Sequence, residues 1–325
     1  MRTAHGPWNE RDGVIVRLTD AEGSSGFGEA SPIPWFGSET VEEIESVCRE
    51  LGKQVTDERL SSVPENFGCL KNALSAAREP ADKWISQHKH LGVAALLPAG
   101  KAALEIIAPK VDAGFRVFKW KVGVGDIADE LGLFDDVCGA LPEGAKLRLD
   151  ANGAWNRRQA ERWLERCAER PVEFVEQPSY AKASEGAALR RKTDDLLLGL
   201  AEDFPTPLAL DESIAKGADI EQWIGMGWPG IFVLKTALVT DVDDALARLR
   251  KAKAPVVFSS ALETGVGARA ALRMAFAWPG EPRALGFGVW PLFADARFDG
   301  PYAAAFLRPE DVERLNPEAV WSALS

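Results

Sequence analysis

The chain has 325 residues, of which 46% are hydrophobic and 27% are charged. This is enough apolar material for one large core, and the length suits a barrel with a smaller domain attached. A formal net charge of −11 argues against nucleic acid or an anionic membrane as the main partner. We therefore expect a small molecule as the partner, and a carboxylate would need a local group of positive side chains. Composition leaves open whether the chain is a monomer or a homo-oligomer.

The cysteines and the hydropathy of the sequence indicate the cellular compartment of the protein. The four cysteines are scattered without a C-x-x-C pair, which fits neither a disulfide framework nor a zinc site. They are Cys48, Cys69, Cys138 and Cys167. The sequence has no apolar run of about 18 residues or more, and residues 1–17 are polar, unlike a secretory signal peptide. We expect a cytoplasmic location.

Residues 1–91 are predicted to form an α+β capping domain. Residues 13–36 read as a strand hairpin followed by a loop that glycine and proline punctuate. One helix is predicted to begin at residues 38–43, where hydroxyl side chains can cap it and acidic residues occupy its first turn. Another is predicted over residues 66–83, where alanines give a small face suited to close packing.

From residue 92 to residue 290, short apolar runs alternate with amphipathic stretches, which predicts an α/β fold of the (β/α)8-barrel type. Eight strands are predicted, at residues 93–97, 115–121, 147–150, 172–176, 208–211, 231–235, 255–259 and 284–287. A segment rich in alanine, lysine and arginine, residues 181–195, is predicted to be an inserted helix. The tail, residues 291–325, is predicted to return to the cap.

Five successive strands of this set, from the second to the sixth, end in charged residues. These residues are Lys119, Lys121, Asp150, Glu176, Asp211 and Lys235. From Lys121 onward they recur at intervals of 24 to 35 residues. The C-terminal ends of the strands form one rim of a (β/α)8 barrel, and the active site lies there. The sequence thus predicts three carboxylates between two lysine stations on one rim.

The first lysine station is a Lys-x-Lys pair on a single strand. Lys119 and Lys121 alternate with Trp120, so both ammonium groups are expected to face the barrel interior and the tryptophan to face the helices. Repulsion and partial desolvation should lower the pKa of at least one lysine, which could then take a carbon-bound proton near neutral pH. A solvated strand edge is the other interpretation, but two unpaired buried lysines would be costly without a function.

The three carboxylates come from three successive strands and offer only oxygen ligands. Without histidine or cysteine, such a set favours a hard cation, Mg²⁺, with Mn²⁺ as an alternative. Each acid alone could instead cap the helix that follows it. Asn152 shares the inward direction of Asp150, and Glu212 is expected to support a lysine. Lys235 is expected to face Lys119 and Lys121 across the pocket.

Five motifs in this order resemble the enolase superfamily, in its muconate-lactonizing branch. They are Lys119-x-Lys121, Asp150-Ala151-Asn152-Gly153, Glu176-Gln177-Pro178, Asp211-Glu212-Ser213 and Lys235, and the resemblance spans nearly the whole chain. In that superfamily a lysine takes the proton α to a carboxylate, and Mg²⁺ holds the resulting enolate. The resemblance implies that Asp150, Glu176 and Asp211 are the metal ligands. It also implies that Lys121 and Lys235 are opposed catalytic lysines, with Lys119 in the same catalytic group.

Three segments carry a narrower resemblance, to the o-succinylbenzoate synthase family. They are residues 26–34 with Phe36 and Glu39-Thr40, Phe67-Gly68, and residues 259–267. In that family the loop after the seventh strand helps to bind substrate, which implies this role for Ser259, Ser260 and Gly265. The implied reaction is a syn-dehydration in menaquinone or phylloquinone biosynthesis. Lys121 would take a ring proton and return it to the departing hydroxide, while Lys235 would stabilise the anion.

Two other kinds of function stay open from the sequence. The same lysines and carboxylates in relatives racemise N-acylamino acids or epimerise dipeptides, and Lys121 and Lys235 would then be bases on opposite faces of the substrate. The seventh and eighth strands lack an Asp-x-Asp pair, which argues against the dipeptide reaction. A catalytically silent barrel with a binding role is the other alternative. It is disfavoured because every motif residue is present.

Overall fold

The computed structural model describes residues 2–3, 6–78, 84–181, 185–302 and 304–324. Its N-terminal part starts with two short antiparallel strands and a hairpin. These are β1 (Arg2–Thr3), β2 (Gly6–Pro7), β3 (Val14–Thr19) and β4 (Ser25–Ala30). Three helices follow, α1 (Val41–Leu51), α2 (Asp57–Ser61) and α3 (Gly68–Arg78). The hairpin and the helices agree with the predicted α+β cap.

Local sequence explains how these helices begin and pack. Thr40 Oγ1 accepts the backbone N–H of Glu43, and the Glu43 carboxylate accepts the N–H of Thr40, so a capping box begins α1. Helix α3 packs directly on β4 at Gly26 and Gly28. A Cβ atom at either glycine would overlap a backbone carbonyl of the helix, so only glycine allows this close contact. The last part of the helix predicted over residues 66–83, residues 79–83, lies outside the described residues.

After β5 (Leu91–Gly92), seven parallel strands form one sheet whose order follows the chain. They are β6 (Ala95–Leu97), β7 (Val117–Lys121), β8 (Lys146–Asp150), β9 (Val172–Glu176), β10 (Leu208–Leu210), β11 (Ile231–Leu234) and β12 (Val256–Phe258). Each one lies within one or two residues of a predicted strand. Consecutive parallel strands with helical crossovers are the architecture of a (β/α) barrel.

The eighth predicted strand closes the barrel through isolated bridges. Leu285 pairs in parallel with Val93, just before β6, and Gly286 pairs in parallel with Ser259, just after β12. The N–H of Gly286 also donates to the carbonyl of Phe258 at 2.8 Å. The predicted barrel is therefore confirmed, with a short eighth strand.

The helices between the strands cover the outside of the barrel. They are α4 (Ala102–Asp112), α5 (Ile127–Ala140), α6 (Arg157–Cys167), α7 (Ala187–Asp203), α8 (Gly217–Gly225), α9 (Val242–Lys251) and α10 (Gly265–Ala277). The helix predicted over residues 181–195 is confirmed from residue 187 onward, but it is not an insertion, and residues 182–184 lie outside the described residues. From Ala187 onward that segment belongs to α7, the connecting helix between β9 and β10, whose 17 residues account for the long interval.

The tail contacts both the barrel and the cap. It contains β13 (Phe306–Leu307), α11 (Pro309–Glu313) and α12 (Pro317–Leu324), and β13 pairs antiparallel with β5. The ring of Trp321 on α12 lies 6.2 Å from that of Phe27 on β4. The predicted boundaries 1–91, 92–290 and 291–325 stay a proposal. Among the helices of the described ranges, none is long and apolar enough to cross a bilayer.

A charged network crosses the barrel interior two residues below Asp150. Arg148 on β8 is 1% exposed, and it donates from Nε to Glu173 at 2.7 Å and from Nη1 to the carbonyl of Ala284 at 2.7 Å. Arg283 donates to the second oxygen of Glu173 at 2.9 Å. Because Arg283 and Ala284 belong to the closing segment, this network joins β8 and β9 to the eighth strand.

We expect Glu173→Gln to destabilise the barrel, because it leaves two guanidinium groups without their shared carboxylate. The free energy of unfolding should fall by about 3 kcal/mol, as for other buried pairs that lose one partner. Urea unfolding measures the loss. The matched control is Glu161→Gln, which removes an exposed pair with Arg157 on α6 and should cost about 0.5 kcal/mol or less. Equal losses in the two variants would contradict the role given to Glu173.

Candidate active site

The structure brings the six predicted charged residues together on one rim. Strand register places Lys121 opposite Asp150, and Asp150 opposite Glu176, so these three side chains leave adjacent strands at the same level. Asp211 directly follows β10, and Lys235 directly follows β11. The rim is therefore charged across five consecutive strands. Trp120 points outward, as predicted, and its ring lies 6.3 Å from that of Trp163 on α6.

Lys119 is the counter-ion of two carboxylates. Its Nζ lies 2.9 Å from Asp150 Oδ2 and 2.7 Å from Glu176 Oε1, and all three side chains are largely buried. Burial by itself would lower the pKa of Lys119, but the charges of Asp150 and Glu176 outweigh it and raise this pKa above its usual value. Lys119 is thus held as a cation and is a poor candidate for the base.

Lys121 has the opposite environment. Its side chain is half-buried and forms no hydrogen bond or ion pair with another described residue. Burial lowers its pKa, the carboxylate of Asp150 opposes this effect, and the neighbouring ammonium of Lys119 adds to it. The predicted lowering of a lysine pKa is therefore confirmed for Lys121 and does not apply to Lys119. An unpaired amine with a lowered pKa can accept a proton from a substrate.

Lys235 lies on the other side of the carboxylates. Its Nζ forms an ion pair with Asp211 Oδ1, and the ring of Phe36 covers it with the centroid 4.5 Å from Nζ. The Lys235 side chain is 14% exposed. The second lysine station is therefore fixed by one residue of the barrel and one residue of the cap.

Asn152 and Glu212 bind each other at the edge of this cluster. Asn152 Nδ2 donates to Glu212 Oε1 at 3.2 Å, and the backbone N–H of Asn152 donates to Asp150 Oδ1 at 3.1 Å. The hydrogen bond of Glu212 is with Asn152 and not with a lysine, although its charge acts on Lys121 and opposes the lowering of that pKa, so support of a lysine by Glu212 stays a prediction. Asn152 takes the left-handed φ of 46° that this turn requires, a conformation that asparagine tolerates better than most residues.

Burial and repulsion between neighbouring carboxylates disfavour the ionised form of two acidic side chains of the site. Burial and the charge of Asp150 raise the pKa of Glu176 to about 8. Burial and the charge of Asp211 likewise raise the pKa of Glu212 to about 8. Asp150 differs, because although burial opposes it, the Lys119 ammonium holds its pKa below the usual range. Additional positive charge would therefore stabilise this cluster.

Asp150, Glu176 and Asp211 have the oxygen atoms that a divalent cation needs, but their side chains are not arranged around a common metal position. In the described ranges no three acidic, histidine or cysteine side chains are arranged to hold a metal ion. Asp150, Glu176 and Asp211 form ion pairs with lysines instead. The buried atoms Glu212 Oε2 and Asn152 Oδ1 have no hydrogen-bond partner among the described residues. The ligand atoms that Asp150, Glu176 and Asp211 offer are carboxylate oxygens, the kind that Mg²⁺ prefers.

Gln177 is a buried side chain whose role the sequence did not reveal. Its Oε1 accepts the backbone N–H groups of Asp211 at 2.9 Å and Ser213 at 3.2 Å, and its Nε2 donates to the carbonyl of Ser179 at 2.8 Å. It directly follows Glu176, so one amide fixes the ends of β9 and β10 relative to each other. The Glu-Gln-Pro motif contained this signal, but only the contacts reveal its purpose.

Glu130 is a second residue whose role the sequence did not reveal. Its carboxylate accepts the backbone N–H groups of Gly123 at 2.8 Å, Val124 at 3.0 Å and Gly125 at 2.9 Å. This buried carboxylate of α5 therefore accepts hydrogen bonds from the backbone N–H groups of the loop after Lys121, which have no partner in a strand or a helix. A glycine-rich loop followed by an acid in the first turn of a helix is the signal that could have indicated it.

The predicted substrate-binding residues lie in the loop after β12. Ser259 Oγ is 3.4 Å from the carbonyl of Gly286, while Ser260 Oγ donates to Glu263 at 3.0 Å and accepts the N–H of Leu262 at 2.9 Å. Gly265 begins α10, and a Cβ there would lie 2.8 Å from the carbonyl oxygen of Asp299 in the tail. Contact of these three residues with a substrate stays a prediction.

Glu29 ties the cap to this same loop. From β4, its carboxylate accepts the backbone N–H groups of Thr264 at 2.9 Å and Gly267 at 2.8 Å, at the N-terminus of α10. Arg11 adds a second tie, donating to the carbonyl of Pro32 at 2.9 Å and to the carbonyl of Leu262 at 3.2 Å. The conformation of the seventh-strand loop therefore depends on the cap as well as on the barrel.

Comparison with known proteins identifies the family. Residues 103–305 match the family described as Enolase C-terminal domain-like. The chain belongs to the enolase superfamily. It is 38% identical over 295 residues to the o-succinylbenzoate synthase of Thermosynechococcus vestitus. The aligned region covers 89% of this chain and 88% of that protein.

Solved structures agree with this assignment. The o-succinylbenzoate synthase of Thermosynechococcus elongatus BP-1, complexed with magnesium in the active site, matches with a TM-score of 0.79 and 34% identity, covering 99% of this chain and 95% of that one. The dipeptide epimerase of Enterococcus faecalis V583 has a TM-score of 0.78 at 21% identity, covering 92% of each chain. The second likeness establishes the fold alone.

Mg²⁺ binding at pH 7 should release about one proton. Burial and the charge of Asp150 raise the pKa of Glu176 to about 8, so Glu176 would have to lose its proton to serve as the metal ligand that the family resemblance implies. The apparent affinity should therefore increase as the pH rises towards 8, and the proton release should shrink above it. Calorimetric titration in buffers of different ionisation enthalpy measures the released protons. A binding enthalpy that does not depend on the buffer would contradict this prediction.

Gln177→Leu should weaken Mg²⁺ binding by about 10- to 100-fold, as for other residues that orient metal ligands. The leucine keeps the approximate size of the side chain but leaves the N–H groups of Asp211 and Ser213 without their acceptor. Calorimetric titration gives the dissociation constant. Gln222→Leu, at an exposed position of α8, is the matched control and should bind Mg²⁺ as the unmodified protein does. Equal affinities in all three proteins would show that Gln177 has no such role.

Proposed function

We propose that the chain is a Mg²⁺-dependent o-succinylbenzoate synthase, a hydro-lyase of menaquinone or phylloquinone biosynthesis. Its substrate would be 2-succinyl-6-hydroxy-2,4-cyclohexadiene-1-carboxylate. One observation carries the proposal: an unpaired lysine with a lowered pKa, Lys121, and a fixed cationic lysine, Lys235, flank one buried carboxylate cluster. The identity of 38% to a named o-succinylbenzoate synthase supports it.

Asp150, Glu176 and Asp211 would hold the metal ion, and the lysines now paired with them would balance the remaining charge. When bound, Mg²⁺ supplies positive charge that stabilises the substrate carboxylate and the negative charge that develops on it. Mn²⁺ would suit the same oxygen ligands. We also propose that the protein is located in the cytoplasm, because its cysteines are scattered and show no disulfide pattern.

Lys121 would carry the proton in both directions. Its neutral Nζ takes the proton from the ring carbon next to the carboxylate, and the electron pair of that C–H bond moves towards the carboxylate. The returning electron pair then forms the new ring double bond and breaks the bond from the neighbouring carbon to the hydroxyl group. The hydroxyl leaves as water with the proton from the Lys121 ammonium, so the product is aromatic and Lys121 is neutral again.

Lys235 and the seventh-strand loop would bind and orient the substrate. Lys235 is held by Asp211 and Phe36, which suits a fixed cation that stabilises developing negative charge. Racemisation would instead require Lys235 to exchange protons with the opposite face of the substrate, so its present contacts favour dehydration. Ser259, Ser260 and Gly265 would contact the substrate.

The deciding experiment follows the absorbance of the cyclohexadiene with and without Mg²⁺. The unmodified protein should consume it only with the metal, and Lys121→Ala should lower kcat by about 10²- to 10⁴-fold, the usual contribution of general acid–base catalysis. Lys146→Ala, at the exposed start of β8, is the matched control and should keep full activity. An active Lys121→Ala variant would refute the mechanism. Racemisation of N-succinylamino acids without dehydration would assign the racemase function instead.

A further inference from the structure

Phe36 is a cap residue whose ring contacts Lys235, one of the proposed catalytic lysines. It ends a short 3-10 helix, Pro34–Phe36, and its centroid lies 4.5 Å from Lys235 Nζ. A cation over the face of an aromatic ring is attracted by the negative charge of that face, more strongly where water is excluded. Both side chains are largely shielded from solvent, and Asp211 contacts the same ammonium group from the barrel.

The apolar surroundings leave the Lys235 side chain few other positions. Phe36 and Lys235 line a small pocket together with Ile214, Val233 and Leu238. Among the described residues, Asp211 is the carboxylate in direct contact with this ammonium group, while the charges of Asp150, Glu176 and Glu212 act on it from further away. Loss of the ring would leave the charge next to aliphatic groups and free the lysine to turn towards water.

Cap helix α3 also fixes the chain directly after Lys235. Asn72 Nδ2 donates to the carbonyl of Thr236 at 2.9 Å and to that of Val239 at 2.6 Å. Lys71 pairs with Asp241 at 3.0 Å a little further along. The cap therefore holds this strand end through its backbone as well as through the lysine side chain, and the ring of Phe36 is not a chance contact of a loose loop.

We propose that Phe36 is a positioning residue for Lys235. Its ring and the Asp211 carboxylate hold the ammonium group from two sides, so that the cation is correctly aimed only when the cap loop is seated on the barrel. This inference rests on the proposed function for its catalytic consequence, but the contact itself does not. It makes one aromatic side chain of the cap a determinant of where the barrel lysine Lys235 lies in the site.

The first test compares three variants in steady-state dehydration. Phe36→Leu should lower kcat by about threefold to thirtyfold, the range that a cation over an aromatic face contributes, with a smaller change in KM. Phe36→Tyr keeps the aromatic face and should restore kcat to within about twofold. Trp35→Leu is the control, because it removes the adjacent ring, which packs on Trp8 with centroids 4.7 Å apart. Full activity in Phe36→Leu, or an equal loss in Phe36→Tyr, would overturn the proposal.

The second test needs no substrate. Thermal unfolding midpoints of Phe36→Leu, Lys235→Met and the double variant form a cycle that detects interaction between the two side chains. The decrease caused by Phe36→Leu should be clearly smaller when Lys235 is already methionine, whereas Trp35→Leu should cause the same decrease in both backgrounds. Additive effects for Phe36 would overturn the proposal. A protein that fails to dehydrate the diene but shows this coupling would refute the proposed function and keep the contact.

Discussion

The pairing of buried lysines with buried carboxylates is the constraint on which the active site depends. Charges removed from water are costly unless an opposite charge lies within direct contact, and three carboxylates at adjacent strand ends would repel one another. Lys119 meets this requirement for Asp150 and Glu176, and Lys235 meets it for Asp211. Lys121 is left outside these pairs, which is why its amine differs from those of the other two lysines.

Two buried side chains outside the charged cluster keep its members in place. Gln177 connects the ends of β9 and β10, and Glu130 holds the loop after Lys121. Both satisfy backbone N–H groups in loops, where no regular structure offers partners. The barrel thus supplies the directions of the charged side chains, and these two buried groups limit how far the strand ends can move apart.

The cap contributes to the site at two separate places. Glu29 binds the N-terminus of α10 beside the serine loop, and Phe36 with Asn72 holds the strand end that carries Lys235. A substrate bound between these places would contact both parts of the molecule. The fold is shared with a dipeptide epimerase, and a common fold does not fix a function, so the cap and the loops that it touches are places where such proteins can differ.

The sequence by itself determined the barrel, its strand ends and the set of charged residues on the rim. Spacing and alternation are properties of neighbouring residues, so they place Lys121, Asp150 and Glu176 on one face before any contact is known. Only the tertiary structure decided which lysine is paired, that Glu212 binds Asn152, that Gln177 joins two strand ends and that residues 187–195 belong to α7. Those outcomes depend on distances between residues far apart in the chain, and pairing, burial and pKa follow distance in space.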